Sequence, residues 1–149
     1  MTRRTILLLT ALTLWLPATA AAQLLLISPT TISFPSSDPD TVPVISAAPV
    51  RVTYLVLIGG NQSWTISVRA NGHLTAGPAT IDISNVTWTA TPNPPFRNGT
   101  LSATVAQTLA QGRGSAFLQR GDVTFRLANS WDYSAGTYTQ TVVFTLSSP

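Results

Sequence analysis

The stretch VRVTYLVLIGGNQSWTISVRA, residues 50–70, decides the fold class. Val50, Val52, Tyr54, Val56 and Ile58 alternate with Arg51, Thr53, Leu55 and Leu57. After Gly59-Gly60-Asn61 the alternation resumes, with Trp64, Ile66, Val68 and Ala70 set against Thr65, Ser67 and Arg69. A period of two places alternate side chains on opposite faces of a strand, whereas a helix repeats every 3.6 residues. The second half of the first run is apolar on both faces, which predicts a central strand. Gly59-Gly60-Asn61 is a turn signal, so the two runs are expected to form one antiparallel hairpin. Asn71-Gly72, just beyond, is the strongest short hairpin signal in the chain.

The same pattern extends in both directions. Ile32 and Phe34 alternate with Thr31 and Ser33, ahead of a Pro/Asp/Ser loop over 35–43. Ile81 and Ile83 are odd-numbered, but Val86, Trp88 and Ala90 are even-numbered. The inward face therefore changes parity at Ser84-Asn85, which calls for a bulge or a break. Pro92-Asn93-Pro94-Pro95 ends that strand, since proline cannot donate to a ladder. Leu101, Ala103 and Val105 predict a short strand, and 109–121 a long loop or two irregular pieces. Val123, Phe125 and Leu127 alternate again. At the end, Tyr138, Val142, Phe144 and Leu146 line one face, and Thr139, Thr141, Val143 and Thr145 the other. No stretch has a 3.6-residue period. The expected fold is all-β: an antiparallel, immunoglobulin-like β-sandwich of about seven strands. A small closed barrel is the alternative.

Composition supports this reading and excludes others. The chain has 149 residues, enough for one domain. Only 9% of them are charged, against about 25% in an average soluble domain. Threonine and serine supply 37 residues, and hydroxyls take the place of charge at the surface. All eight basic residues are Arg and all five acidic residues are Asp. Without Lys or Glu a coiled coil is excluded. Without Cys there is no disulfide, thiolate metal site or thiol nucleophile. The formal charge is +3 and the sequence pI about 10.2. Arg3 and Arg4 account for two of the three charges, and the other arginines are scattered. Nucleic-acid binding needs clustered Lys and Arg, so no nucleic acid is expected as a partner.

Residues 1–22 read as a signal peptide. Arg3 and Arg4 form a positive head, residues 6–16 an apolar run, and Ala18-Thr19-Ala20 or Ala20-Ala21-Ala22 a small-residue cleavage site. The apolar run is shorter than the roughly 20 residues of a membrane helix. Pro17 separates it from Leu24-Leu25-Leu26-Ile27, whose inclusion would make an uncleaved anchor. The expected product is a single secreted domain, 23–149, with no membrane span after signal removal.

Catalytic signatures are scarce. His73, the one histidine, lies in a predicted turn and reads as an exposed turn residue rather than a general base or metal ligand. No G-x-S-x-G elbow is present, and Asp38-Pro39-Asp40 lacks the remaining ligands of a calcium loop. No enzyme activity, cofactor or metal is expected. Trp64 and Trp88 fall in phase with aliphatic neighbours and are expected in the core. Trp131 and Tyr133 lie outside the alternation. They are read either as a cap over one end of the sandwich or as the platform of a carbohydrate-binding module.

The final residues carry the most information. Gly136-Thr137-Tyr138 opens a turn into a Thr-rich strand that carries Phe144-Thr145-Leu146 and has no charge from residue 136 to 149. This ending resembles that of the bacterial WxL surface domain, with Phe144-Thr145-Leu146 in place of the distal Trp-x-Leu. Trp64-Thr65-Ile66 is similar to the proximal motif of that family. The ending also resembles pilin and fimbrial-type sandwiches, whose terminal strands pair with neighbouring subunits. These resemblances imply a secreted, non-enzymatic cell-surface or envelope module for structure or adhesion. Its expected partners are a cell-wall polymer or other surface proteins, with self-assembly into a fibre by β-strand addition as the alternative. Trp64, Trp131, Tyr133, Tyr138, Phe144 and Leu146 are the candidate interaction residues. The terminal strand is expected to be central in its sheet; at an edge, its free N–H and C=O groups would recruit another chain.

Overall fold

A computed structural model of the chain describes residues 22–149. The expected signal peptide lies outside the described residues, apart from Ala22. Eleven strands follow in order: β1 (Ala22–Ser28), β2 (Val44–Ser46), β3 (Val50–Leu57), β4 (Ser63–Ala70), β5 (Leu74–Ala76) and β6 (Ala79–Ile81), then β7 (Val86–Thr91), β8 (Gly99–Thr100), β9 (Gln107–Arg113), β10 (Ala116–Ala128) and β11 (Val142–Ser147). The larger sheet has the order β1-β3-β10-β7-β8, with β2 also paired to β10. The smaller has the order β11-β4-β9, and β5 pairs with β6 apart from both. Each of these strand pairs is antiparallel. The all-β antiparallel sandwich is thus found, with eleven strands rather than about seven. The additional ones include pieces of two or three residues.

The alternating residues build the core. Val52, Tyr54 and Val56 of β3, Trp88 of β7, and Val123 and Phe125 of β10 point inward from the larger sheet. Trp64, Ile66 and Val68 of β4 and Leu109 of β9 face them from the smaller one. Aromatic rings bridge the two layers. Tyr54 and Trp64 lie 4.9 Å apart between centroids, and Phe125 and Phe144 meet edge-on at 6.4 Å. Both tryptophans expected in the core are buried there. Each stands directly across from a glycine, Trp88 from Gly99 and Trp64 from Gly112. The indole covers the space that a side chain would fill.

Several local expectations are corrected. The runs 50–58 and 63–70 do not form a hairpin, because β3 belongs to the larger sheet and β4 to the smaller. Gly59-Gly60-Asn61 instead carries the chain across the sandwich. Asn71-Gly72 closes no hairpin either. Neither residue has the positive φ that a type I′ turn requires, and β4 and β5 are unpaired with each other. β3 is central, as its two apolar faces predict, lying between β1 and β10. The parity change at Ser84-Asn85 is a break, a 3₁₀ turn over Ile83–Asn85, capped by Asp82, whose carboxylate accepts the Ser84 N–H at 2.8 Å. Residues 109–121 are not a loop but belong mostly to two strands, β9 of the smaller sheet and β10 of the larger, joined through Gly114-Ser115. Ile32 and Phe34 pack on the core without forming a strand, and of the segment around Leu101 only Gly99–Thr100 is a strand. Among the described residues no helix is long and apolar enough to cross a membrane.

Candidate interaction surfaces

The C-terminal segment is held in place before its strand begins. The Tyr138 hydroxyl donates to the Ser134 carbonyl at 2.9 Å. Thr139 exchanges backbone hydrogen bonds with Thr75, and the Gln140 side chain donates to the His73 carbonyl at 2.6 Å. β11 then runs antiparallel to β4, with Phe144 opposite Val68 and Leu146 opposite Ile66. The two motifs that carry the surface-domain resemblance therefore sit on adjacent strands. Their apolar members face the core: Trp64 and Ile66 are buried, and Phe144 and Leu146 half-buried.

β11 is nevertheless not central. It pairs only with β4 and forms the edge of its sheet. The expectation of a central position fails because one apolar and one solvated face specify which side of the strand is buried, not how many strands flank it. Val142, Phe144 and Leu146 are half-buried, while Val143, Thr145 and Ser147 are exposed. An inward apolar face is compatible with either an edge or an interior position. β1 is the corresponding edge of the larger sheet, and the two edges meet where the Gln23 side chain hydrogen-bonds the Ser148 hydroxyl. Neither strand contains a charge or a proline, the usual protections of an exposed edge.

Trp131 and Tyr133 lie beyond the end of β10 and differ from each other. Trp131 is 67% exposed, and its Nε1 donates to Asp40 Oδ1 at 3.2 Å. Tyr133 packs against the core, and its hydroxyl donates to the Ala128 carbonyl at 2.9 Å. Burial and the nearby Asp132 charge raise its pKa. Tyr133 is thus a cap, and Trp131 is the ring open to solvent.

Titratable groups converge at two places. His73 Nδ1 accepts the Ile83 N–H at 3.2 Å and lies 3.6 Å from Asp82 Oδ1, beside a shallow depression. The ring nitrogen nearest the carboxylate is thus already used as an acceptor, and among the described residues no hydroxyl is hydrogen-bonded to His73. Asp82 is held below its ordinary pKa, chiefly by the Ser84 backbone N–H and then by its hydroxyl. On the outer face of the larger sheet, Arg51 makes two hydrogen bonds to Asp122, at 3.0 and 3.3 Å, and the pairing raises the Arg51 pKa. Such an exposed pair contributes little to stability. No group of three or more potential metal-ligating side chains occurs among the described residues.

One surface feature escaped the sequence reading. The β3–β10 register shifts between Ala116 and Gln119, so Phe117 and Leu118 bulge out of the sheet. Phe117 is 68% exposed, and Leu118 has a φ of +43°. The available signal was an apolar pair set between Gly114-Ser115 and Gln119-Arg120, in a stretch otherwise poor in large apolar residues. No protein-family model matches this chain, and no curated protein matches it either.

Proposed function

We propose that the chain is an exported, non-catalytic module of the cell surface or envelope, held against a wall polymer or neighbouring surface proteins. The observation that carries this reading is the C-terminal edge strand. β11 offers an unblocked backbone row, uncharged from residue 136 to the end, next to the equally uncharged β1. Edge strands normally carry charge, proline or bulges against association. A bare one fits a protein that works by being joined to something. The sparse charge of the chain reduces electrostatic repulsion in a crowded layer. The leader-like first 22 residues and the ending that resembles surface domains support the same location.

The test uses Val143→Lys with Thr145→Lys, both on the exposed face of β11. Purified cell envelopes are expected to sediment the parent chain and to leave the double variant, with unchanged circular dichroism, in the supernatant. A parent chain that stays wholly in the supernatant, or a variant that sediments equally, refutes the reading. The same edge favours a second reading, a fibre subunit extended by strand addition. In that case, electron microscopy of the parent chain shows filaments that the double variant does not form.

A further inference from the structure

We infer that β11 joins a second copy of this chain, pairing antiparallel with its own counterpart across a two-fold axis at Phe144. This rests on the reading of β11 as the edge by which the protein is joined, and it names what joins it. The two smaller sheets then merge in the order β9-β4-β11-β11-β4-β9. Because both copies use the same edge, the assembly closes at two.

The register follows from which backbone groups are free. The Asn71 N–H donates to the Thr141 carbonyl at 2.9 Å. In the β4–β11 ladder the odd-numbered residues of β11 therefore turn their N–H and C=O toward β4. On the other side of β4, the Ala70 N–H donates to the Ser102 carbonyl at 3.1 Å, which gives the same alternation from the opposite edge. Val142, Phe144 and Leu146 thus turn their backbone groups outward, and among the described residues no strand pairs with them there. Of the possible two-fold axes, only one through Phe144 uses all of these groups at once. Phe144 then faces Phe144 of the partner subunit, and Val142 faces the partner's Leu146, in hydrogen-bonded positions. Between them Val143 faces the partner's Thr145, in the position where side chains lie closest. The Gln23–Ser148 contact falls beyond this stretch.

Two observations select a second copy as the occupant. The first is that the strand is complementary to itself in this register. On the outer face, β-branched Val143, 42% exposed, meets β-branched Thr145, a favourable cross-strand pair. On the inner face, half-buried Val142, Phe144 and Leu146 meet the same three residues, so the core of one sandwich continues into the other. The second observation is charge. A strand that pairs with itself sets each of its charges near a like charge, and this one has none from residue 136 to 149. Arg69 stands beside Val143 on β4. The two β4 strands would lie three strand spacings apart, ~14 Å, which exceeds the screening length of about 10 Å in 0.1 M salt. The alternating N–H and C=O groups of the free edge match another strand, and strand addition supplies the main-chain bonds.

Residues 22–149 contain both sheets and the whole core cluster, so this segment, purified free of envelopes, is followed by analytical ultracentrifugation across the micromolar range. The expected species is a dimer. Val143→Lys with Thr145→Lys sets like charges directly opposite and should weaken dimerisation about tenfold or more. Val143→Asp with Thr145→Asp should do the same alone, and mixing the two double variants should restore a dimer that contains one of each. Neither a misfolded variant nor a different contact surface produces that rescue. The chain has no Cys, so Val143→Cys mixed with Thr145→Cys should cross-link on oxidation, whereas Val143→Cys alone should not, its mates being diagonal and too far apart.

The inference is overturned if the parent segment is monomeric throughout, if the lysine variant dimerises as tightly, or if the mixed variants stay monomeric. Filaments in place of dimers also overturn it, since a two-fold pair closes. A monomeric parent that still sediments with envelopes removes the second copy and keeps the joining edge. A dimeric parent that leaves envelopes in the supernatant keeps the pair and removes the envelope role.

Discussion

Gly112→Ala is expected to destabilise the protein, against the usual effect of that change in a strand. Removing a glycine from an ordinary strand interior stabilises by about 0.5–1 kcal/mol, because the unfolded chain loses freedom. At position 112 an added Cβ would lie 2.4 Å from Cζ2 of Trp64, 2.7 Å from Cε2 and 3.0 Å from Nε1. The indole has little room to retreat, since Trp64 is buried and the Tyr54 ring packs 4.9 Å from it. Forcing a methyl into a filled core costs about 1–3 kcal/mol, so the net change should be a loss of about 1–2 kcal/mol. For a domain of this size that moves the urea midpoint down by roughly 1 M at unchanged slope. Far-ultraviolet circular dichroism at increasing urea measures it. Trp64→Leu makes the space for the methyl, so Gly112→Ala in that background should be neutral or slightly stabilising. The two substitutions then show a coupling of about 1.5–3 kcal/mol. A Gly112→Ala protein with an equal or higher midpoint, or a cycle without coupling, would refute the packing described for Trp64.

Trp88→Phe should cost about 1–2 kcal/mol more than Trp64→Phe in the same urea assay. Trp88 Nε1 donates to the Arg97 carbonyl at 2.8 Å, whereas Trp64 Nε1 is a buried donor without a partner. Leu118→Gly should raise the unfolding free energy by about 1 kcal/mol, because it releases a left-handed leucine. An unchanged or lower value would mean that the side chain offsets the strain through contacts of its own. Asp82 adds a pH dependence. Its pKa is lowered in the folded state, so its contribution is present above the ordinary carboxylate range and lost as pH falls through the lowered value. Melting temperatures recorded from neutral pH to about pH 2 should show Asp82→Asn less stable than the parent at neutrality. The two should converge in acid, and parallel curves would contradict the cap.

Strand identity was legible wherever one face is buried. Val52-Tyr54-Val56, Trp64-Ile66-Val68, Val86-Trp88-Ala90 and Val123-Phe125-Leu127 announce themselves because a period of two and burial on one side coincide. Strand partnership was not legible. Gly59-Gly60-Asn61 and Asn71-Gly72 have the chemistry of tight turns, but local turn chemistry does not say whether the chain returns in its own sheet or crosses to the other. β1 was hidden for a different reason. Its Leu24-Leu25-Leu26-Ile27 extends an apolar run that begins in the leader, so composition does not separate the two.

The candidate surfaces divide the same way. Trp131 and the uncharged ending were visible from residue type alone. The edge position of β11 is a topological fact, and only the strand order supplies it. On the larger sheet, exposed Leu24, Leu57 and Phe117 come from three separated segments, brought together by register. The bulge that exposes Phe117 and Leu118 depends on one extra residue in β10, where the two of them stand opposite Leu55, and that leaves no periodic trace.

Location tests the proposed role most directly. The full chain, expressed from Met1 in a bacterial host, can be followed by cell fractionation and N-terminal sequencing. The expected result is protein in the envelope fraction that begins near Ala21 to Gln23, displaced from that fraction by Val143→Lys with Thr145→Lys. Intact protein starting at residue 1 and confined to the cytoplasm would contradict an exported surface module.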